Sequence, residues 1–279
     1  MKHFFLLTIL TIIIVSCSPN IRSKITSKQP LLADNEPVLV FQKDEPFDNN
    51  GIKIGTIRAG DYGMSTNCSY NEVIRTLIQL AKQNGANILK ITEHKTPDMW
   101  STCDRITAQI YRVPDFRKYE KEIIWSPNRK LTWDDFKGSP KPISNSNVAA
   151  TTYCGFGFET NRVALFKKIK IYTKAVFDCK LSWVAQDQVG RQDLLEHEQT
   201  HFDLCEVYSR ILRKRIEEKK LTVFSIENEG NAIFKEVYDS YLNRQELYEK
   251  ETNFGLNRQK QIEWTKKVEK ELADLNAFL

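Results

Sequence analysis

The chain has 279 residues, 41% of them hydrophobic and 28% charged, and carries a net charge of +5. These proportions exclude a disordered or fibrous chain and fit a globular protein with more than one small domain. The positive charge comes from lysines spread over many faces, which excludes a dedicated nucleic-acid surface; no nucleic-acid partner is expected.

Met1 to Ser16 reads as a targeting segment. Lys2 and His3 precede an apolar run from Phe4 to Val15 that is too short for a comfortable membrane span. The run ends Ile14-Val15-Ser16-Cys17, which resembles a bacterial lipobox. That resemblance implies a signal peptide over residues 1–16, lipidation at Cys17 and a membrane-anchored lipoprotein of the cell envelope, in the outer membrane where the source is Gram-negative. An ordinary secretory signal with an incidental cysteine is the other reading, and both export the chain. Residues 17–36 are polar and contain Ser, Lys and Pro, so they read as a tether.

Residues 37–113 read as a small α/β module. Val38 to Phe41 and Ile52 to Ile57 have the apolar and β-branched content of strands. Ser69 and Glu72 form a capping box for a helix carrying Val73, Ile74, Leu77, Leu80 and Ala81, which Gly85 stops. Ile88 to Thr92 and Ile106 to Val113 complete a β-β-α-β-β order. The phrase Asn84-Gly85-Ala86-Asn87 entering a strand resembles small envelope lipoprotein domains of the RcsF and YbjQ-like type. His94, alone near a strand end, reads as structural.

Residues 114–122 are a charged linker, and a second domain spans 123–279. Its first part predicts two antiparallel strands, Ala149 to Phe158 and Val163 to Leu181. In the second, Val163, Leu165, Ile169, Ile171, Ala175, Phe177, Cys179 and Leu181 alternate with mostly polar residues. Setting Cys17 aside, five cysteines remain and none forms a Cys-x-x-Cys pair. Disulfides are expected at Cys68–Cys103 and, on shared apolar parity, at Cys154–Cys179, leaving Cys205 free.

The chemistry concentrates in Asp193-Leu194-Leu195-Glu196-His197-Glu198-Gln199-Thr200-His201-Phe202, which spells H-E-x-x-H. Asp193 with Glu196 gives a capping-box-like start after Gly190. Leu194, His197, Glu198, His201, Cys205 and Tyr208 then share one stripe of the helix. Two histidines one turn apart can present imidazole nitrogens to a single zinc ion, with Glu198 beside them as the proton acceptor for a metal-activated water. A pair of buried, hydrogen-bonded structural histidines is the other reading. Of the four histidines in the chain, one lies in the signal segment, one is isolated and two form this pair.

A third ligand must come from another element. Positions 193, 197, 201 and 205 follow one another along a straight rod, and positions two turns apart lie ~12 Å from each other. A helix over Asn231 to Asn253, ended by Gly255, offers Glu236, Asp239, Glu246, Glu249 and Glu251. Only Glu249 falls inside its apolar stripe of Phe234, Val237, Tyr238, Tyr241, Leu242 and Tyr248. A carboxylate there needs a partner, either metal or an arginine such as Arg210 or Arg213. A last helix is expected over Asn257 to Leu275.

From Leu131 to Leu272 the chain resembles the bacterial domain-of-unknown-function family 922, regarded as secreted zinc-dependent proteases. The shared phrases are Leu131-Thr-Trp-Asp-Asp-Phe-Lys-Gly138, Ser182-Trp183, Leu195-Glu-His-Glu-Gln-Thr-His-Phe-Asp203 continued by Glu206, Tyr208 and Arg210, Tyr248-Glu-Lys-Glu-Thr-Asn-Phe-Gly255, and Gln261 with Trp264. The resemblance implies His197 and His201 as zinc ligands and Glu198 as catalytic acid/base, and it keeps the acidic position as Glu249. Where the family commonly has a histidine before the motif's glycine, this chain has Phe254. The expected fold class is α+β: a β-β-α-β-β module followed by a zincin-like domain with an antiparallel sheet and three helices. The expected activity is that of a zinc metallopeptidase acting on a protein or peptide substrate. A catalytically inactive binding or envelope-sensing lipoprotein is the alternative.

Overall fold

The structure, a computed structural model, describes residues 19–33, 36–61, 68–140, 148–160, 171–222 and 224–279. The expected signal segment with Cys17, and the expected strand positions Val163, Leu165 and Ile169, lie outside the described residues. The chain divides into two compact units, with the boundary between Pro114 and Asp115. No helix among the described residues is long and apolar enough to cross a membrane.

The first unit is a five-stranded sheet backed by one helix. Its strands are β1 (Asn20–Ile25), β2 (Leu39–Phe41), β3 (Ile52–Gly60), β4 (Ile88–Lys95) and β5 (Arg105–Arg112), in the order β1-β3-β5-β4-β2. Neighbours are antiparallel except β2 beside β4. Helix α1 (Tyr70–Gln83) buries Val73, Leu77 and Ala81 against Ile54, Ile57, Leu89, Ile91, Ile106 and Ile110. Its start is the capping box expected from Ser69 and Glu72: the Ser69 amide and hydroxyl both donate to Glu72 Oε2, at 3.1 and 2.8 Å. Gly85 then turns the chain at φ +78°, where a Cβ would come within 2.3 Å of the Pro30 carbonyl.

That contact is part of a correction to the expected tether. Residues 20–25 are an edge strand, and Leu32 is buried in the core. The polar run Arg22-Ser23-Lys24 concealed the strand, because an edge strand needs few inward side chains; Ile21 and Ile25 pack against the core and the rest faces out.

The second unit is a mixed α+β domain with two small sheets and three C-terminal helices. Strands β6 (Glu122–Ile124), β8 (Cys154–Thr160) and β9 (Ile171–Asp178) form an antiparallel sheet in the order β6-β9-β8, and β7 (Ala150–Thr151) pairs with β10 (Trp183–Val184). Part of the expected linker already belongs here, since Glu120 is buried and β6 begins at Glu122. The helices are α2 (Gln192–Lys219), α3 (Asn231–Thr252) and α4 (Arg258–Asp274). α2 lies with β8 and β9 on one side and α3 and α4 on another, so residues all round it are buried. Asp193 does not cap it. Arg191 is the N-cap residue and Asp193 ion-pairs with it from inside the first turn, where an acidic side chain suits the helix dipole.

The phrase Leu131–Gly138 is a hook that fixes α2. Asp135 is fully buried and takes two bonds from Arg129, at 2.7 and 3.0 Å, while Arg129 also reaches buried Glu120 at 2.8 Å. From this hook the Leu131 amide donates to Gln199 Oε1 at 2.8 Å, and Trp125 Nε1 donates to Asp203 at 2.6 Å. Gly138 packs so closely on the chain at Ser182 that a Cβ would meet the Lys180 and Ser182 carbonyls at 2.6 and 2.8 Å.

One expected disulfide is present and one is not. Cys68 and Cys103 are bonded, tying the start of α1 to the approach of β5. Cys154, Cys179 and Cys205 are free thiols. The β8–β9 register sets Cys154 opposite Phe177, so Cys179 is at best its diagonal neighbour. Diagonal neighbours lie ~7–8 Å apart, beyond the ~4.4–6.8 Å that a disulfide spans. Cys154 instead hydrogen bonds to Cys205 of α2.

The Cys68–Cys103 bond closes a separation of 35 residues. Replacing both cysteines by serine is expected to destabilise the first unit by ~4 kcal/mol in the loop-entropy account. Chemical denaturation followed with probes in each unit checks this: the second unit's transition should not move.

Candidate metal centre

α2 supplies two ligand atoms because four residues make about one turn. The Nε2 atoms of His197 and His201 lie 3.2 Å apart, with their rings nearly perpendicular. α3 crosses this face and delivers Glu249. Its Oε1 is 3.2 Å from His201 Nε2 and its Oε2 is 3.3 Å from His197 Nε2. Among the described residues these three are the group of ligand-type side chains able to hold one metal ion. Arg210 and Arg213, the alternative partners for Glu249, are engaged elsewhere: Arg210 with Glu206, Arg213 with Thr173.

The spacing can be tested against metal geometry. Ligand atoms ~2.0–2.1 Å from a tetrahedral zinc are separated by ~3.3–3.4 Å. The two imidazole nitrogens are 3.2 Å apart, close to that edge, and each faces a different Glu249 oxygen, at 3.2 and 3.3 Å; taken one atom per residue, the three ligand atoms lie within 4.8 Å of one another. Glu249 Oε2 is also buried without a hydrogen-bond partner, since its approach to His197 lacks the alignment of one. An orphaned buried carboxylate oxygen 3.3 Å from an imidazole nitrogen is what a cation-binding group presents. The three side chains therefore form a donor set able to hold a divalent metal ion.

Each histidine is held from behind. His201 Nδ1 donates to Gln245 Oε1 at 2.6 Å, and Gln245 Nε2 returns a bond to the His201 carbonyl at 3.0 Å. His197 Nδ1 lies 3.1 Å from Gln261 Oε1 and 2.9 Å from the Tyr248 hydroxyl. With the proton on Nδ1, each Nε2 keeps its lone pair for a metal. Tyr248 is fully buried, stacks on the His197 ring and meets His201 edge-on, both at 4.8 Å. Trp264 packs on Tyr248 and donates to Glu251 at 2.8 Å, so Glu251 has a structural partner and stays outside the triad. Gly255, at φ +79°, closes the other side: a Cβ there would come within 3.1 Å of the His197 ring.

Glu198 is buried next to His197 but contributes none of the three ligand atoms. Phe254 is 70% exposed in the turn after α3, outside the triad. His94 belongs to the first unit, where it bonds Asp104 at 2.7 Å. Sequence reasoning singled out the triad but not its support. Gln245 precedes Glu249 by one turn, so its place on the same face of α3 was available from spacing alone; the Tyr248 and Gln261 contacts with His197 require the α4 crossing.

Electrostatics reflect the crowding. Burial disfavours a charged His201, but the Glu249 hydrogen bond, with the negative charges of Glu198 and Glu249, overrides it and raises His201 to about 9. Burial likewise opposes ionisation of Glu249, and the close approach of His197 and His201 overcomes that and lowers it to about 2. In the metal-free protein a proton thus takes the place of the cation between the three groups.

Comparison of the chain with protein families, curated proteins and solved structures finds no match to any of them.

Two outcomes follow for measurement. Glu249→Ala should abolish tight zinc binding, and Gln245→Ala or Gln261→Ala should weaken it about 10–100-fold. Exposed Glu246 and Trp264-bound Glu251 should tolerate alanine without loss of zinc, which titration against a competing chelator will read.

The second concerns pH. His201, raised from 6.5 to about 9, stabilises the metal-free fold fully below pH 6.5 and loses that contribution as pH rises through 9. Glu249, lowered from 4.5 to about 2, contributes fully above pH 4.5 and loses it as pH falls through 2. Thermal unfolding of chelator-treated protein should show this stabilisation at its fullest between pH 4.5 and 6.5. Zinc affinity should instead climb toward pH 9, because the ion must displace the proton.

Proposed function

We propose that the second unit is a zinc-binding domain of zincin-like build, with His197, His201 and Glu249 as its protein ligands. The observation carrying this reading is the convergence of the three side chains: the two imidazole Nε2 atoms are 3.2 Å apart, each 3.2–3.3 Å from an oxygen of the Glu249 carboxylate. Two imidazoles and a carboxylate suit zinc among the common divalent ions. The resemblance to family 922 favours the same metal. The apolar run Phe4–Val15 and the lipobox-like Cys17 support an exported lipoprotein of the cell envelope. In a binding or sensing role the output of the domain is metal occupancy itself. The ion would join α2 to α3 and stabilise the helical layer in proportion to its binding. Phe254, standing where the resembling family has histidine, favours this role.

Glu198 favours a second reading, peptide-bond hydrolysis. Zinc held in such a site acidifies a coordinated water and polarises a carbonyl. Glu198 follows His197 on α2, is buried beside the triad, and its charge is already felt at His201. Its carboxylate is the group free to accept a proton from the attacking water and return it to a leaving amine. A protein or peptide would be the substrate.

Zinc analysis of the purified chain beside two variants tests both readings. His197→Ala should lose the metal; Glu198→Gln should keep it and keep the fold. A wild-type chain that takes up no stoichiometric zinc would sink the metal reading. If the wild type cleaves peptides, Glu198→Gln should lower the rate by about 10²–10⁴-fold. Zinc without Glu198-dependent cleavage across a broad peptide library would leave binding as the function.

A further inference from the structure

We propose that the turn between β4 and β5 is a membrane-contact tip, seating the first unit on a lipid surface through Met99 and Trp100. These adjacent residues are 99% and 90% exposed, the most exposed large hydrophobic side chains among the described residues. Trp and Met side by side in water are costly unless something covers them.

The turn is built to hold them out. Asp98 Oδ1 accepts from the amides of Trp100 and Ser101, at 2.8 and 3.0 Å, while Oδ2 pairs with Arg105 at 2.6 Å. Arg105 also donates to the Thr96 carbonyl at 2.9 Å, bracing the entry of the turn. On the return side the Ser101 hydroxyl bonds Asp61 at 2.6 Å, and Cys103 is tied to Cys68. The ordering entropy of the tip is therefore already spent before contact. Of its two acidic side chains, Asp98 is paired with Arg105 and the buried Asp104 with His94, which limits repulsion from an anionic lipid surface.

The strand register says why the occupant is a membrane. Asn20 pairs with Gly60, Ala59 with Ile106, and Lys95 with Arg105. The beginning of β1 and the β4–β5 turn therefore emerge from the same end of the sheet. β1 is two strands from β5, or ~10 Å at ~4.8 Å per strand. Cys17 precedes Asn20 by three residues, a reach of at most ~11 Å. Whether Cys17 carries lipid or the apolar run itself stays in the bilayer, the membrane-directed end leaves this unit beside Met99 and Trp100. Because β1 begins at Asn20, Cys17 stands only three positions before the sheet. An anchor at the chain's beginning holds the unit to the bilayer without fixing its orientation, and an interfacial Trp–Met tip at the same end of the sheet supplies a second contact that fixes it.

Quenching of tryptophan fluorescence by brominated acyl chains tests the assignment. The full chain, made with its own leader, is reconstituted into phosphatidylethanolamine–phosphatidylglycerol vesicles containing brominated lipid. Trp100 is one of five tryptophans; Trp125, Trp183 and Trp264 are buried and Trp133 packs on Phe136. The expected result is quenching in the wild type that Trp100→Phe removes, with unchanged thermal unfolding because the side chain makes no core contact. Met99→Ser should weaken the quenching of Trp100, because it removes part of the apolar surface that inserts. Zinc content should be the same in every variant, so the outcome is independent of the metal site. Equal quenching in wild type and Trp100→Phe, or none in either, overturns the proposal. So does an unquenched Trp100 that photo-crosslinks to another protein, which would assign the tip to a protein interface.

Discussion

Three electron-rich groups are forced toward one point, and the architecture of the second unit follows from that. Two imidazole nitrogens and a carboxylate at 3.2–3.3 Å repel one another unless a proton or a metal ion sits between them. The site is also largely dry, with the His197 side chain 4% exposed and Glu249 31%. Such a cluster does not assemble from local preference; it persists only where surrounding packing over-determines each side chain. Tyr248 is central to that packing. One ring, fully buried, sets the orientation of both imidazoles, and its hydroxyl reaches His197.

The support extends outward in layers. Gln245 grips His201 from both its ring and its carbonyl, and Gln261 brings α4 to His197. Behind them, Phe202 of α2 packs on Phe177 of β9 with ring centres 5.7 Å apart, seating α2 on the sheet. The hook before β7 then fixes the register of α2 through Gln199 and Asp203, which flank the second histidine. The hook depends on a buried Arg129 shared by Asp135 and Glu120. Losing one member of such a group strands a buried charge, which costs about 3–5 kcal/mol. The phrases Leu131–Gly138 and Ser182-Trp183 thus concern the placement of α2 and lie outside the ligand set itself.

How much of this was legible in the sequence depends on the range of the interaction. Helices α1, α3 and α4 followed from 3.6-residue periodicity and from caps a few residues apart. Glu249 was identifiable because a carboxylate within an apolar stripe needs a partner, an argument that uses only its own helix. Leu242, placed in the same stripe, is half exposed, since the stripe marks a direction and not a depth. Strand β1 was missed because an edge strand with outward Arg22, Ser23 and Lys24 lacks the alternation that reveals a buried one. The Cys154–Cys179 pairing failed on register: side-chain parity identifies the face of a strand but not which residue lies opposite. Tyr248 and Gln261 needed knowledge of how α3 and α4 cross α2, which no local pattern contains.

Cys205 shows how the same layers select the donor set. It lies one turn beyond His201 on the same helix, and a thiolate is a better zinc ligand than a carboxylate. Two features keep it out. Along the helix axis it is ~12 Å from His197, too far for its sulfur and both imidazoles to meet at one point. Burial and its contact with Cys154 also push the thiol well above its ordinary value, so it stays protonated and is a poor ligand. Cys154, in turn, is occupied with the Tyr241 hydroxyl at 3.4 Å and the His201 carbonyl at 3.6 Å. Small thiols at this junction let β8 approach α2 behind the metal centre without offering a competing charge. The carboxylate of α3 is left as the third donor, and the site takes its character from two imidazoles and an oxygen.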